Sequence, residues 1–128
     1  MPLTNSGRDY LAAAIMADGA PTPFDNTNAH IGAGDSNTAF DASQTDLQAS
    51  SNKLRKGMEA TYPQRSSNTL TFRALFGTGE ANYQWREWGI FNHATAGTML
   101  TRDVDDVGTK TSFQSWLVEA DLDVEIGS

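Results

Sequence analysis

The sequence predicts a mainly β protein: an antiparallel β-sheet or sandwich of about six strands with a short N-terminal α-helix. Three observations indicate this fold. Apolar and polar residues alternate from Trp116 to Ile126 and again from Leu70 to Phe76, and the stretch Ala81–Phe91 holds two of the three tryptophans. Alternation at period two is typical of strands that bury one face. We expect residues 1–128 to form a single domain, because a chain of this size buries roughly two-thirds of its unfolded surface.

A helix is predicted close to the N-terminus. Asn5 or Ser6 can cap it. Asp18-Gly19 ends it, and Pro21 and Pro23 prevent its continuation. Because the helix is short and rich in alanine, we expect it to be stable only when packed against the sheet. The expected apolar face consists of Tyr10, Leu11, Ala14 and Ile15.

A short strand, His30–Gly34, follows a predicted loop over Ala20–Ala29. The next segment, Asp35–Ser51, is polar, with Phe40 and Leu47 as its only clear apolar anchors. It fits a long ordered loop or one helical turn near Thr45–Ala49.

The long loop is the predicted contact surface. Loops of this length in compact domains usually have a function, often a contact. Ordering each residue costs roughly 1–2 kcal/mol, and few large apolar groups are present to offset that cost. We therefore expect a neighbouring subunit or partner to order the loop, with contacts at Asp35, Phe40 and Leu47.

Two strands are predicted before the aromatic stretch. Leu54–Tyr62 carries Met58, Ala60 and Tyr62 on one face and ends at Pro63. The alternating segment from Leu70 to Phe76 predicts a half-buried antiparallel strand, and the glycines at positions 77 and 79 predict a turn after it.

The aromatic stretch Ala81–Phe91 is predicted to be the central strand. Strict alternation places Tyr83 and Trp85 on one face and Trp88 and Ile90 on the other. A β-bulge at Arg86-Glu87 would return all four side chains to the core. Large aromatic side chains contribute the most buried area in a small core. The expected core organisers are Tyr83, Trp85, Trp88, Ile90 and Trp116.

Two more strands complete the prediction. Thr98–Val104 is followed by a turn over Asp105–Thr111 around Gly108. The last strand points Trp116, Val118, Ala120, Leu122, Val124 and Ile126 inward. Its other face carries Glu119, Asp121, Asp123 and Glu125, for which we expect either solvent or a basic partner.

Charge and composition narrow the classes of partner. The net charge of −7 argues against nucleic acid, since phosphate binding needs clustered Lys and Arg. The longest apolar run, Leu11–Met16, is too short to span a bilayer, so no membrane partner is expected. The absence of cysteine excludes disulfides and thiolate chemistry.

No pattern in the sequence predicts catalysis. His30 and His93 are isolated, and neither has a second ligand at helical spacing. Glu80 and Glu87 flank the aromatic stretch and could imitate a glycosidase acid pair, but charged residues beside strand turns are common. The segment 103–108 lacks the calcium ligands of an EF-hand loop. We expect no catalytic, cofactor-binding or metal-binding residues, no cofactor and no enzyme activity.

The order of several landmarks resembles a known family. Taken together from Leu3 to Ile126, these landmarks are similar to the tail-collar fibre family of tailed bacteriophages and to the short virion structural proteins related to it. The landmarks are Leu3–Gly7, Ile31–Asp35, Gln44–Leu47, Arg55, Asn82-Tyr83, Trp85–Phe91, Gly97–Leu100 and the alternating terminal strand.

The resemblance implies a non-enzymatic virion structural protein that attaches a fibre or decoration to a tail, collar, baseplate or head. Implied partners are copies of itself, with a trimer as one arrangement, and other phage virion proteins. The implied location is the virion, after synthesis in the cytoplasm of the host bacterium. Because this chain stops at Ser128 where the family continues into a fibre, we expect an adaptor, collar or decoration role.

Three alternatives stay open at this point. One is a capsid decoration (cement) protein of the phage head. Another is a free-standing carbohydrate-binding module, which needs at least two exposed, coplanar rings among Tyr83, Trp85 and Trp88. The third is a small acid hydrolase, which needs Glu80 and Glu87 in one cleft.

Overall fold

The computed structural model describes residues 2–127 and confirms a mainly β fold with a short N-terminal helix. Its described part has two antiparallel sheets: sheet A, in the order β2-β1-β5-β6, and sheet B, in the order β3-β4-β7. The elements are α1 (Asn5–Met16), β1 (His30–Gly34), β2 (Lys53–Gly57), β3 (Gln64–Ser66), β4 (Thr69–Phe76), β5 (Gln84–Phe91), β6 (Met99–Thr109) and β7 (Trp116–Asp123).

The two sheets share one apolar core, so the molecule is sandwich-like. Sheet A contributes buried residues from β1 and β5, and sheet B contributes alternate residues of β4 together with Ala120 of β7. The alternation predicted for β4 is confirmed, since its inward residues Phe72, Ala74 and Phe76 are buried. Together the core includes Ile31, Ala33, Phe72, Ala74, Phe76, Trp85, Ile90 and Ala120.

Strand β5 is the central strand that the aromatic stretch predicts, since it pairs with β1 on one side and with β6 on the other. Its register with β6 shifts between Trp85 and Glu87, which is the expected bulge. Trp85 and Ile90 are fully buried, while Tyr83 and Trp88 are half-buried and pack against the same core. The bulge therefore returns all four side chains to one side of the sheet.

Helix α1 differs from its prediction in how it packs. Its N-cap is Thr4, whose hydroxyl accepts a hydrogen bond from the Gly7 N–H, and it ends at Ala17 in a left-handed conformation. Gly7 is buried against the Leu100 backbone of β6, whereas Ile15 is 88% exposed. The helix thus attaches through its first turn. The predicted packing through Leu11, Ala14 and Ile15 is wrong, because this face has no sheet beneath it.

Three strand ends also differ from the sequence prediction. Strand β2 ends at Gly57, five residues early, because the chain turns over Glu59–Tyr62 and enters the short, unpredicted strand β3. Strand β6 continues to Thr109 instead of turning at Asp105, because Gln84 of β5 supplies a partner for Thr109. In both strands, a neighbouring segment of the same chain determines where the strand ends.

Strand β7 ends at Asp123, so Val124 and Ile126 do not belong to it. Both side chains are exposed, at 63% and 97%. Asp123 pairs with Thr69, the first residue of β4; beyond it, Val124 bonds only to Asn68, in the turn that joins β3 to β4. The expected inward position of Val124 and Ile126 is therefore wrong.

Candidate docking surface

The segment between β1 and β2 covers the face of sheet A that points away from sheet B. No helical turn forms near Thr45–Ala49. Leu47 is 3% exposed and forms a second small core with Phe91 and Met99. Both faces of β5 are consequently buried, one by sheet B and the other by this loop.

A buried ion pair holds the loop in place. Glu87 of β5 and Arg102 of β6 have fully buried side chains, and their Oε1 and Nε atoms lie 2.8 Å apart. The Glu87 carboxylate also accepts hydrogen bonds from the backbone N–H groups of Gln48, at 2.7 Å, and Ala49, at 2.8 Å. One buried carboxylate thus satisfies two backbone donors of the loop.

Arg102 binds the same loop through its other nitrogens. One donates to the side-chain oxygen of Gln44, at 3.1 Å, and another to the backbone oxygen of Thr38, at 2.9 Å. The loop that we expected a neighbouring subunit or partner to order is therefore anchored by contacts within its own domain. Glu87 and Arg102, on adjacent strands, supply the contacts that the few apolar residues of the loop cannot supply.

Asp46 and Arg55 form a second attachment of the loop. Arg55 donates to Asp46 at 3.0 Å and stacks over the Phe91 ring at 3.7 Å, and Lys53 also donates to Asp46. Burial acts to raise the pKa of the Asp46 carboxyl, but the hydrogen bonds from Arg55, Lys53 and the Leu47 N–H together keep that pKa below its ordinary value. Asp46 is therefore charged in this attachment at neutral pH.

The three predicted contact residues are placed differently from one another. Leu47 is buried within its own domain, so its side chain is not available to a partner in this conformation. Phe40 and Asp35 are both half-buried at the surface, and Asp35 accepts a hydrogen bond from Asn52. A partner contact at Phe40 or Asp35 stays a prediction.

The predicted core organisers lie together between the sheets. Trp85 packs edge-to-face with Phe76 and with Trp116, at centroid distances of 4.8 and 5.0 Å. The Tyr83 hydroxyl donates to the backbone oxygen of Ala33 at 2.8 Å. Burial, together with the nearby charges of Asp35 and Glu87, raises the pKa of Tyr83 above its ordinary value. Tyr83 is thus a fixed hydrogen-bond donor of the core.

An apolar groove opens between β7, the last strand of sheet B, and the part of sheet A that β5 and β6 form. We call it the β6–β7 groove; its volume is about 530 Å³. The sequence does not predict this groove, because the groove depends on how the two sheets end and not on the pattern within one strand. Its lining consists of Trp85, Trp88, Val107, Ser115, Trp116, Leu117, Val118 and Glu119.

The outer face of β7 carries three of the four acidic side chains predicted for it, since Glu125 lies beyond the end of the strand. Glu119 pairs with Arg73 of β4 at 2.9 Å. Asp121 and Asp123 accept hydrogen bonds from the hydroxyls of Thr71, at 2.8 Å, and Thr69, at 2.6 Å. The face is exposed, as the alternation predicts, and β4 orders its carboxylates.

The residues considered for catalysis lie in separate networks. Glu87 is buried with Arg102, whereas Glu80 accepts hydrogen bonds from Lys56 and from the Gly77 N–H, which lower its pKa. The single cleft that the hydrolase alternative requires is therefore not formed. The aromatic platform of the carbohydrate-binding alternative is not formed either, since Trp85 is 1% exposed and Tyr83 and Trp88 are half-buried against the core.

The histidines and carboxylates give no further site. The His93 ring accepts hydrogen bonds from the N–H groups of Thr95 and Ala96, so it stabilises its own turn. Within residues 2–127, no three His, Cys, Asp or Glu side chains are grouped to hold a metal ion. No helix in that range is both long and apolar enough to cross a membrane.

Comparison with known proteins adds no assignment: no protein-family model matches this chain, and no curated protein matches it significantly.

Proposed function

We propose that this chain is a non-enzymatic structural protein of a tailed-phage virion, of the tail, collar or baseplate fibre-attachment or adaptor type. It acts by self-assembly and by docking to other virion proteins. The order of sequence landmarks from Leu3 to Ile126 supplies the phage assignment, and the structure supplies the physical argument for a building block.

The proposal depends most on one observation: the buried and half-buried charged side chains beside the long loop bind that loop. Glu87 and Arg102 both bind the chain's own loop, and so do Asp46 and Arg55. These four charges are paired with one another and fix the position of the loop, and Asp46 and Arg55 also line a second cavity of about 440 Å³. Such a use of charge is typical of a rigid protein whose surface, rather than a catalytic pocket, is its working part.

The surface supports docking in two ways. Apolar side chains are exposed on α1 and beyond β7, with Ile15 at 88% and Ile126 at 97%. Strands β2, β3 and β7 end their sheets within the described chain, so each offers an edge on which another strand can pair, whereas the edge of β6 is already paired at Thr101 with Leu3. A protein that functions alone normally keeps such apolar surface small.

Purified particles test the proposal. We expect phage particles assembled from the genome that encodes this chain to contain it, and cryo-electron microscopy to show seven-stranded domains at the tail, collar or baseplate. Gold-labelled antibodies against the recombinant chain provide an independent localisation, and particles from a strain that lacks the gene are the control. Density on the capsid surface would assign the decoration role instead. Absence from the particles would contradict the proposal.

A further inference from the structure

We propose that the free edge of β7 binds an extended, basic segment of a partner protein. The segment adds to sheet B as a further strand, and its inward side chains fill the β6–β7 groove. This inference rests on the docking role proposed above and deepens it by defining the chemistry of the partner: apolar residues alternating with Lys or Arg.

The first support is the unpaired edge itself. Within residues 2–127, β7 pairs with β4 alone, over all eight residues from Trp116 to Asp123. Its other edge carries backbone N–H and C=O groups that a strand can pair with. Addition of an extended peptide to such an edge is an established mode of recognition, with backbone bonds giving affinity and side-chain pockets giving specificity.

The second support is the position of the groove. A strand added to β7 lies about 4.8 Å from it, and every second side chain points toward sheet A. Those side chains enter the β6–β7 groove, where Trp88, Val107 and Trp116 present apolar surface. The volume of about 530 Å³ accommodates several aliphatic side chains.

The third support is charge. Asp121 and Asp123, on the outer face of β7, are bonded to threonine hydroxyls and form no ion pair in the described chain. The proposed strand, beside β7, would point its Lys or Arg side chains to the same outer face as these two carboxylates.

A second copy of the chain is a poorer occupant. Antiparallel pairing of two β7 strands centred on Ala120 would place Asp121 of each copy opposite Glu119 of the other, and like charges directly opposite are destabilising. The basic strand β2 does not offset this repulsion, since Lys53 is already paired with Asp46 and Lys56 with Glu80. Charge complementarity therefore favours a basic partner segment.

Synthetic peptides test the inference on the purified chain. The probe is a capped peptide of alternating valine and lysine, as long as the eight residues of β7. We expect it to bind at least about tenfold more tightly than its valine–glutamate counterpart or a version with the valines grouped at one end. Raising the salt from about 50 mM to about 500 mM weakens binding, because it screens exposed charges. Fluorescence anisotropy of the labelled peptide measures each affinity.

Two variants locate the site, and one variant controls for net charge. The double substitution Asp121→Asn/Asp123→Asn should weaken peptide binding about tenfold, and Val107→Lys should weaken it similarly by placing a cation in the groove. The control, Asp9→Asn/Asp18→Asn, removes the same charge from exposed positions on and just after α1 and should leave the affinity unchanged. Circular dichroism confirms that each variant is folded.

Backbone methylation tests strand addition directly. Alternate N–H groups of a strand point to opposite edges, so methylating either the valine or the lysine amides blocks one edge at a time. One methylated peptide should lose binding and the other should keep it.

Equal loss of binding by both methylated peptides, or equal weakening by the control variant, would overturn the inference. A β7-dependent dimer in sedimentation, disrupted by Val107→Lys, would overturn it in favour of a second copy. Absence from phage particles would contradict the virion proposal alone.

Discussion

At the scale of single residues, the position of the long loop depends on Glu87 and Arg102. Removing one member of a buried ion pair leaves the other charge uncompensated, which typically costs about 3–5 kcal/mol. We expect Arg102→Met to lower the free energy of unfolding by this amount, measured by denaturant titration. Hydrogen exchange should show faster exchange at the Gln48 and Ala49 amides, which Glu87 binds.

The surface pair Arg73–Glu119 provides the matched control for that prediction. Its side chains are 30% and 48% exposed, against 0% for both members of the buried pair. Arg73→Met should cost less than about 1 kcal/mol, because exposed ion pairs contribute little. Equal losses in the two variants would show that the buried pair does not hold the loop.

The two tryptophans of β5 should differ in their contribution to stability. Trp85 is 1% exposed and packs between Phe76 and Trp116, so Trp85→Ala should cost about 3–5 kcal/mol. Trp88 is half-buried beside the groove, and we expect Trp88→Ala to cost about half as much. Urea titration of both variants measures the difference. A cost below about 1 kcal/mol for Trp85→Ala would contradict its central position in the core.

Asp46 links stability to pH. In the folded protein the pKa of the Asp46 carboxyl lies below the ordinary value for aspartate, about 3.9. The stabilisation that the charged carboxylate provides is therefore fully present above the ordinary pKa and is lost as the pH falls through the folded pKa. Asp46→Asn should destabilise the protein by about 0.5–1 kcal/mol at neutral pH. The gap between the variant and the parent should narrow below about pH 4. Urea titrations across a pH series test this, with Asp18→Asn, at an exposed site, as the control. A gap that stays constant down to about pH 2 would contradict the role of the charge.

At the scale of elements, the attachment of α1 depends on Thr4 more than on the exposed face of the helix. The buried Thr4 hydroxyl donates to the Met99 backbone oxygen at 2.6 Å and accepts from the Gly7 N–H at 2.9 Å. Thr4→Ala should cost about 1–2 kcal/mol and speed amide exchange throughout α1. Thr4→Ser keeps the hydroxyl and should recover most of the loss. If Thr4→Ala leaves exchange in α1 unchanged, another contact holds the helix.

Most elements could be predicted from the sequence, because one-sided burial leaves a pattern within the element itself. Strand β1 has the predicted bounds, and β4 and the bulge in β5 follow their alternation. The ends of β2, β6 and β7 could not be predicted, since each depends on where a distant partner strand begins or ends. The conformation of the loop could not be predicted either, because its anchors Glu87 and Arg102 are remote in sequence.

At the scale of the whole molecule, Phe40 provides a test of assembly that leaves the fold intact. Deleting the loop would remove the loop groups that bind Glu87 and Arg102 and would uncover Phe91, so a deletion affects both folding and docking. Phe40 is only half-buried, and Phe40→Ser should cost no more than about 1–2 kcal/mol. If Phe40 contacts a virion partner, the folded variant should be depleted from particles, as quantified by mass spectrometry. Normal incorporation would remove Phe40 from the docking surface.

The attachment of the loop to β5 and β6 also sets an order of events during synthesis on the ribosome. Residues 35–52 leave the exit tunnel well before Glu87 and Arg102, to which they must bind. Strand β1 likewise cannot pair with β5 until β5 has been synthesised, and Leu3 cannot form its bridge to Thr101 before then. The first half of the nascent chain therefore lacks its native partners until the second half emerges, and we expect the domain to fold late, in one step.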